Sequence, residues 1–139
     1  MRMRIFLTLI WACILFIFTC SVNFHMLIKY QFIDFQINPA PDWLELLKSD
    51  YQWSDTEWLQ RKAGHMLGFF ILALLGSKFG KYRSAFYLSV LYAAVTEILQ
   101  LYFFRGGRIY DVFIDTVGVL LAFLFCRNPW HFLKKSKSP

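Results

Sequence analysis

Cysteine is scarce in this chain, and its scarcity excludes two kinds of small protein. The 139 residues include three cysteines, Cys13, Cys20 and Cys126, which are odd in number and lie in apolar segments. Their spacing matches no metal-ligand pattern. We therefore expect neither a disulfide framework nor a cysteine metal site. Internal repeats and low-complexity segments are also absent, apart from a short Lys/Ser tail that we expect to be disordered.

Acidic residues are also few, and the charge balance needs an explanation. The chain has 9 Asp and Glu against 15 Lys and Arg, a net charge of +6. A basic protein can bind nucleic acid, but here the basic residues lie in short flanks of apolar runs rather than along one polar face, so no nucleic-acid partner is expected. Hydrophobic residues make up 58% of the chain and aromatic residues 20%, too much for a soluble domain of this length. We predict one membrane domain, residues 1–139.

Four apolar segments are predicted to cross the membrane. The first, residues 5–22, carries no charge and is about 27 Å long as a helix, enough to span the hydrocarbon. Two arginines precede it as in a secretory signal, but no small-x-small cleavage site follows, so we expect it to be retained. The other predicted spans are residues 63–77, 84–104 and 109–126. The predicted fold class is all-α, an integral membrane four-helix bundle.

Residues 23–60 differ from the rest and are predicted to form a water-facing loop. They contain most of the acidic residues, together with tryptophans typical of a membrane interface. Residues 41–48 place Trp43 and three leucines mostly on one side of a short helix, which either lies in the headgroup plane or packs within the loop. Ser54-Asp-Thr-Glu57 is a capping box, which predicts that Ser54 caps a helix running from near Asp55 to about Ser77.

The orientation follows from lysine and arginine near the span ends, since cytoplasmic loops carry an excess of both. With four spans, one side of the membrane receives Arg2, Arg4, Lys78, Lys81, Arg83, Arg127, Lys134, Lys135 and Lys137. We predict that this side is the cytoplasm. Both termini are then inside, and the loop of residues 23–60 is extracellular.

Three acidic residues, Glu97, Asp111 and Asp115, lie within the predicted spans. Each charge at the centre of a bilayer helix costs about 2.5 to 3.5 kcal/mol, so such residues are usually functional. Glu97 and Asp115 each lie about two helical turns, or roughly 10 Å, from the tight turn that joins the third and fourth spans. Because a short turn makes these spans antiparallel neighbours, the two carboxylates can face each other.

Each of these two spans has one face of polar and small residues. On the fourth span the face is formed by Asp111, Asp115, Gly118 and Ala122, at i, i+4, i+7 and i+11. On the third span it is formed by Ser89, Ala93, Thr96, Glu97 and Gln100. We expect the two faces to meet.

Together these features predict an outward-facing polar pocket between the second, third and fourth spans. Its candidate residues are Lys62, His65, Glu97, Gln100, Arg105, Arg108, Asp111 and Asp115. Four of them offer nitrogen and oxygen ligands suited to Mg²⁺ or Mn²⁺: His65, Glu97, Asp111 and Asp115. The spacing permits such an ion without specifying it.

Several functions fit this pocket. It can bind a lipid headgroup, with the basic residues holding a phosphate. It can belong to an intramembrane enzyme that acts on a lipid phosphate, with the carboxylates as acid or base. A proton or ion path is a third function, but polar residues do not continue inward below Asp115. A structural bundle locked by ion pairs is the fourth, although buried pairs are weak stabilisers.

Three short motifs, taken together, resemble the VanZ-like family of small bacterial integral membrane proteins. They are Lys62-x-x-His65, Glu97-x-x-Gln100 and Arg105-x5-Asp111-x6-Gly118, and the resemblance covers about residues 58–125. The named member of that family is associated with teicoplanin resistance. The resemblance implies a multi-pass protein of the bacterial cytoplasmic membrane whose partners are membrane lipids or a lipid-linked wall precursor, and which contributes to glycopeptide tolerance.

The chain departs from that family at three places. The family commonly has Asp-Glu where this chain has Thr96-Glu97, and Pro-Gly where it has Phe103-Phe104. It also commonly has Asn where this chain has Asp115. The first two differences concern the rim of the predicted pocket.

Thiol labelling of intact cells tests the predicted topology. We expect a cysteine introduced as Ser49→Cys to react with a membrane-impermeant maleimide, because the acidic loop is predicted to be outside. A cysteine introduced as Ser138→Cys is expected to react only after lysis. The parent chain, whose cysteines lie in apolar segments, is the control. Labelling of the Ser138→Cys protein in intact cells contradicts a bundle with both termini inside.

Overall fold

The computed structural model describes residues 2–21, 29–30, 33, 35–49 and 51–127. Much of the predicted loop between residues 22 and 34 therefore lies outside the described residues. So does the Lys/Ser tail, with its predicted disorder.

The described residues form four long helices and no strand, as predicted. Helix α1 is Arg2–Cys20, α2 is Thr56–Ser77, α3 is Ser84–Tyr102 and α4 is Ile109–Arg127. A short 3₁₀ helix, Trp43–Leu47, lies where a short helix was predicted in the loop. By length and composition, α1, α3 and α4 can each cross a membrane. The predicted span 63–77 is the apolar part of α2, and whether it crosses the membrane stays a prediction.

Helix α1 begins three residues and ends two residues before the predicted span 5–22, and α4 ends one residue after the predicted 109–126. The cap of α2 and the end of α3 also shift, each for a local reason. Asp55, rather than Ser54, caps α2, because its carboxylate accepts a hydrogen bond from the amide of Glu57 at 2.9 Å. A carboxylate there also interacts favourably with the helix dipole. Helix α3 ends at Tyr102 rather than residue 104, because Phe104 adopts a left-handed conformation (φ 55°). That is the position at which the resembling sequences commonly have glycine, the residue that adopts this conformation without strain.

Helix α2 lies at the centre of the bundle and packs against α1, α3 and α4. The core below the site is apolar and is formed by Leu15, Phe69, Leu72, Ala73, Ala93, Val119 and Ala122. Two hydrogen bonds join α1 to α2, from the Trp11 indole to the carbonyl of Gly68 at 2.9 Å and from the Arg4 guanidinium to the carbonyl of Gly76 at 2.7 Å. The Tyr92 hydroxyl of α3 donates to the carbonyl of Ala12 at 2.6 Å. These bonds fix α1 alongside α2, which matters for the groove described below.

Helices α2 and α4 approach so closely that only glycine fits at their contact. A Cβ atom on Gly118 would lie 2.1 Å from the carbonyl oxygen of Met66. The face predicted for α4 is buried around this point, with Asp111, Asp115 and Ala122 on the same side. The close contact between the backbones brings the side chains of α2 and α4 together one turn above Gly118, where the candidate site lies.

Replacing Gly118 tests this contact. Gly118→Ala forces a backbone carbonyl to move, and overpacking of this kind costs about 1 to 3 kcal/mol. We expect the free energy of unfolding, measured by SDS titration in mixed micelles, to fall by that amount. Gly64→Ala is the matched control, because nothing lies within 4 Å of its added Cβ. Since alanine favours a helix over glycine by roughly 1 kcal/mol, Gly64→Ala is expected to equal or exceed the parent in stability. Equal stabilities of the two variants would contradict the close contact.

Candidate functional site

Glu97 connects α3 to the turn that leads into α4. One of its carboxylate oxygens accepts a hydrogen bond from the backbone amide of Arg108 at 2.8 Å, and the other accepts from the Gln100 amide at 2.7 Å. The turn also presses against the α3 backbone, since a Cβ on Gly107 would lie 1.8 Å from the carbonyl oxygen of Glu97. Glu97 is thus a buried carboxylate whose charge is supported by two donors.

Lys62 and Asp111 form a second, separate pair between α2 and α4. The Lys62 ammonium lies 2.6 and 2.5 Å from the two oxygens of Asp111. It also lies over the rings of Tyr110, at 4.7 Å, and Trp58, at 5.5 Å. The ammonium is therefore compensated by a carboxylate and by two aromatic faces.

Asp115 lies one helical turn further into the bundle and faces His65. Its Oδ1 atom is 3.5 Å from Nδ1 of His65, which in turn is 3.9 Å from the Glu97 carboxylate. Asp115 is fully buried. Within the described residues, neither of its carboxylate oxygens has a hydrogen-bond partner, and neither does Nδ1 of His65. Such a buried carboxylate requires a proton or a cation.

The structure therefore divides the predicted metal ligands into two groups. Ligand atoms of His65, Glu97 and Asp115 all lie within 4.8 Å of one another. Asp111, the fourth predicted ligand, is bound by Lys62 instead. An imidazole and two carboxylates that converge in this way can hold a divalent ion.

Two spaces adjoin this cluster. A small polar cavity of about 50 Å³ is lined by residues that include Lys62, Gln100 and Arg108. An apolar groove of about 250 Å³ runs between α1 and α2, past Trp11, Leu15 and Gly68. Both spaces are lined by Arg61, His65 and Arg105, which stand where the groove meets the cavity.

The two guanidinium groups at the end of the groove influence each other. Burial, and after it the charge of Arg61, lowers the pKa of Arg105. The Nε atom of Arg61 is buried and has no hydrogen-bond partner within the described residues. Two positive charges in a partly buried position favour binding of an anion between them.

The loop before α2 covers the turn. The backbone amide of Asn38 donates to the carbonyl of Tyr102 at 2.7 Å, and the Trp43 ring packs edge-on against the ring of Tyr102. Glu45 of the 3₁₀ helix lies 3.9 Å from the Arg108 guanidinium. The loop thus contributes an acidic group to the rim of the polar cavity.

Sequence reasoning missed Arg61, Trp58, Tyr110 and the groove itself. The spacing of residues in α2 does indicate the groove. Arg61, Gly64, His65 and Gly68 recur at i, i+3, i+4 and i+7, so they share one face of the helix. On that face Gly64 leaves open space between α1 and α2, whereas Leu15 of α1 packs directly against Gly68. Trp58 and Tyr110 have no comparable signal, since their role depends on where Lys62 lies.

A double-mutant cycle tests the Lys62–Asp111 pair. Removing one partner of a buried pair costs up to about 3 to 5 kcal/mol, and partial exposure of Lys62 should reduce this to about 2 to 3. We expect Lys62→Met and Asp111→Asn each to lower the free energy of unfolding, and the double variant to recover at least 1 kcal/mol relative to their sum.

The control for this cycle is the exposed pair Lys48–Glu45 of the loop, in which little or no coupling is expected because water screens it. Additive effects at Lys62 and Asp111 would show that the pair is not a coupled unit.

Comparison with known proteins found one family model and one similar protein that match most of the chain. A family model described as VanZ/LLP1 matches residues 4–133, well beyond residues 58–125 that carry the motifs. The chain is 36% identical over 115 residues to the protein named "Uncharacterized membrane protein YwnJ" of Bacillus subtilis (strain 168), a match that covers 81% of this chain and 82% of that protein. No solved structure matches the chain.

Proposed function

The chain belongs to the VanZ/LLP1 family of membrane proteins, and we propose that this member binds the phosphate of a lipid at the end of the groove between α1 and α2. The lipid is a membrane phospholipid or a lipid-linked wall precursor, which share a phosphate and a long apolar chain. The confirmed likeness to the family supports a multi-pass membrane protein. The lipid proposal rests on the site.

The observation that carries the proposal is the position of two arginines at the polar end of an apolar groove. The groove between α1 and α2 is lined mainly by apolar side chains, and Arg61 and Arg105 lie at its end together with His65. A lipid has the same pattern, with a chain that favours an apolar surface and an anionic phosphate next to it. Guanidinium groups bind phosphate through paired hydrogen bonds, and the pairing is strong where water is partly excluded.

The sizes of the two spaces support a particular placement. The groove of about 250 Å³ accommodates a section of one chain, whereas the polar cavity of about 50 Å³ holds only a few water-sized groups. The phosphate would therefore lie at the two arginines, between the spaces. Any sugar or peptide attached to it would extend outward past the covering loop rather than into the cavity.

Filling the groove tests the proposal. Gly64 lies on the groove wall and an added Cβ meets no atom within 4 Å, so Gly64→Leu should fill the groove without disturbing the core. We expect native mass spectrometry of Gly64→Leu to show loss of co-purified lipid, with Gly64→Ala retaining it. Phosphatidylglycerol and a polyprenyl phosphate, added separately, distinguish the two lipid sources.

Substitution of the two arginines is a second test of lipid binding. Each charge-assisted hydrogen bond lost in Arg61→Gln or Arg105→Gln is worth about 1.5 to 3 kcal/mol, so lipid affinity should fall roughly tenfold or more. Gly64→Leu protein that binds either lipid as well as Gly64→Ala would contradict the groove as the binding site.

The same variants test a role in glycopeptide tolerance, which we propose as the consequence of binding a precursor lipid. We expect cells producing Gly64→Leu to be more sensitive to teicoplanin than cells producing equal amounts of Gly64→Ala. Equal sensitivity, with lipid binding lost, would separate the binding activity from tolerance.

An enzyme acting on the bound lipid phosphate is the second candidate, and one observation favours it. His65 lines both the groove and the polar cavity and lies 3.5 Å from Asp115, so an imidazole with a carboxylate close by is next to the expected phosphate position. Release of inorganic phosphate from polyprenyl phosphates by the purified protein, lost in His65→Gln, would support turnover. Lipid binding without release would support binding alone.

A further inference from the structure

We propose that His65, Glu97 and Asp115 form a binding site for one divalent transition-metal cation, of the class of Mn²⁺ or Zn²⁺. The site is separate from the Lys62–Asp111 pair and does not depend on the bound lipid. It rests on the arrangement of three side chains from three different helices, α2, α3 and α4.

The distances suit a small cation. The Nδ1 atom of His65 lies 3.5 Å from Oδ1 of Asp115 and 3.9 Å from Oε1 of Glu97. In a four-coordinate site with bonds of about 2.1 Å, donor atoms lie about 3.4 Å apart. One of the three donor pairs already has this separation, and the His65–Glu97 pair needs a contraction of about half an ångström. The third pair, Glu97–Asp115, lies within the 4.8 Å that encloses all three ligand atoms.

Asp115 provides the second line of evidence. It is 0% exposed, yet within the described residues both its oxygens are without a hydrogen-bond partner. Asp115 faces His65 at 3.5 Å. The ammonium of Lys62 does not compensate Asp115, because it is bound by Asp111. A buried carboxylate normally has its lone pairs satisfied, and both oxygens here are available to a ligand.

Glu97 is held in the manner of a metal ligand. Each of its oxygens accepts one hydrogen bond, from Gln100 at 2.7 Å and from the amide of Arg108 at 2.8 Å. Such bonds orient a ligating carboxylate and leave further lone pairs for a cation. Its orientation is set by the backbone of the turn, so the ligand is largely pre-positioned.

The donor set indicates the class of cation. Carboxylates alone favour Mg²⁺ or Ca²⁺, whereas an imidazole favours transition metals, and Mn²⁺ and Zn²⁺ accept both. The two carboxylates balance the charge of a divalent ion, with His65 neutral. The adjoining polar cavity, of about 50 Å³, has room for a water ligand and includes His65 in its lining. Mg²⁺, which keeps several water molecules, fits this donor set less well.

Metal binding to the full chain, purified in detergent without a polyhistidine tag and without added lipid, tests the site. After treatment with EDTA, the protein is titrated with Mn²⁺ and free Mn²⁺ is followed by electron paramagnetic resonance. We expect one saturable Mn²⁺ per chain. Asp115→Asn and His65→Gln should each weaken it at least tenfold. Glu57→Gln, which removes an exposed carboxylate from the first turn of α2, is the control and should leave binding within about threefold of the parent.

A spectroscopic measurement separates this site from the exposed acidic loop. Bound Mn²⁺ should show a nitrogen coupling in pulsed electron paramagnetic resonance that disappears in His65→Gln. That signature keeps the test valid even where Asp115→Asn fails to fold, as judged by gel filtration. Absence of saturable binding in the parent, or a nitrogen coupling that is missing in the parent or persists in the His65→Gln protein, would overturn the proposal. Binding that persists unchanged in Asp115→Asn would also overturn it.

Discussion

The hydrogen bond from the Arg108 amide to the buried Glu97 carboxylate determines the geometry of the whole site. A carboxylate within a membrane helix opposes insertion, so it requires donors that the fold supplies. Here the donor is a backbone amide near the start of α4, where the helix dipole also favours a negative charge. Because Glu97 holds the turn, and Gly107 lies directly against its carbonyl, α3 and α4 meet with a fixed register. Asp115 and Asp111 are placed by that register.

The central position of α2 follows from its polarity. Its first turns contain Arg61, Lys62 and His65, and as a whole it is less apolar than α1, α3 and α4. A helix with such a face is stable in the bilayer when other helices cover it. Helices α1, α3 and α4 do so, and their own exposed faces are apolar. The polar face of α2 is therefore the feature around which the other helices pack.

The sequence predicts the helical fold, the C-terminal ends of the four long helices to within two residues, and the two buried faces of α3 and α4. These depend on hydrophobic periodicity and on local signals such as the cap of α2. The partner of each charge could not be read, because it depends on distances between helices. Asp111 and Asp115 lie one turn apart on α4, yet one binds Lys62 and the other faces His65. A shift of one turn between α2 and α4 would place Lys62 opposite Asp115, or His65 opposite Asp111, and the position of Gly118 against Met66 is what prevents it.

The position of the polar groups along the bundle argues for a site that opens at one end. Towards the opposite end, the space between the helices is filled by Phe69, Leu72 and Val119, which are buried and apolar. A continuous path for ions would need polar groups in that layer. The groove between α1 and α2 opens instead along the side of the bundle, where Leu67 and Phe18 of its lining are exposed. This opening fits the proposed lipid, whose chain would lie in apolar surroundings and whose phosphate would lie at Arg61 and Arg105. His65 lines the polar cavity together with these arginines and lies 3.9 Å from the buried Glu97 carboxylate, so it lies between the proposed phosphate position and the carboxylates.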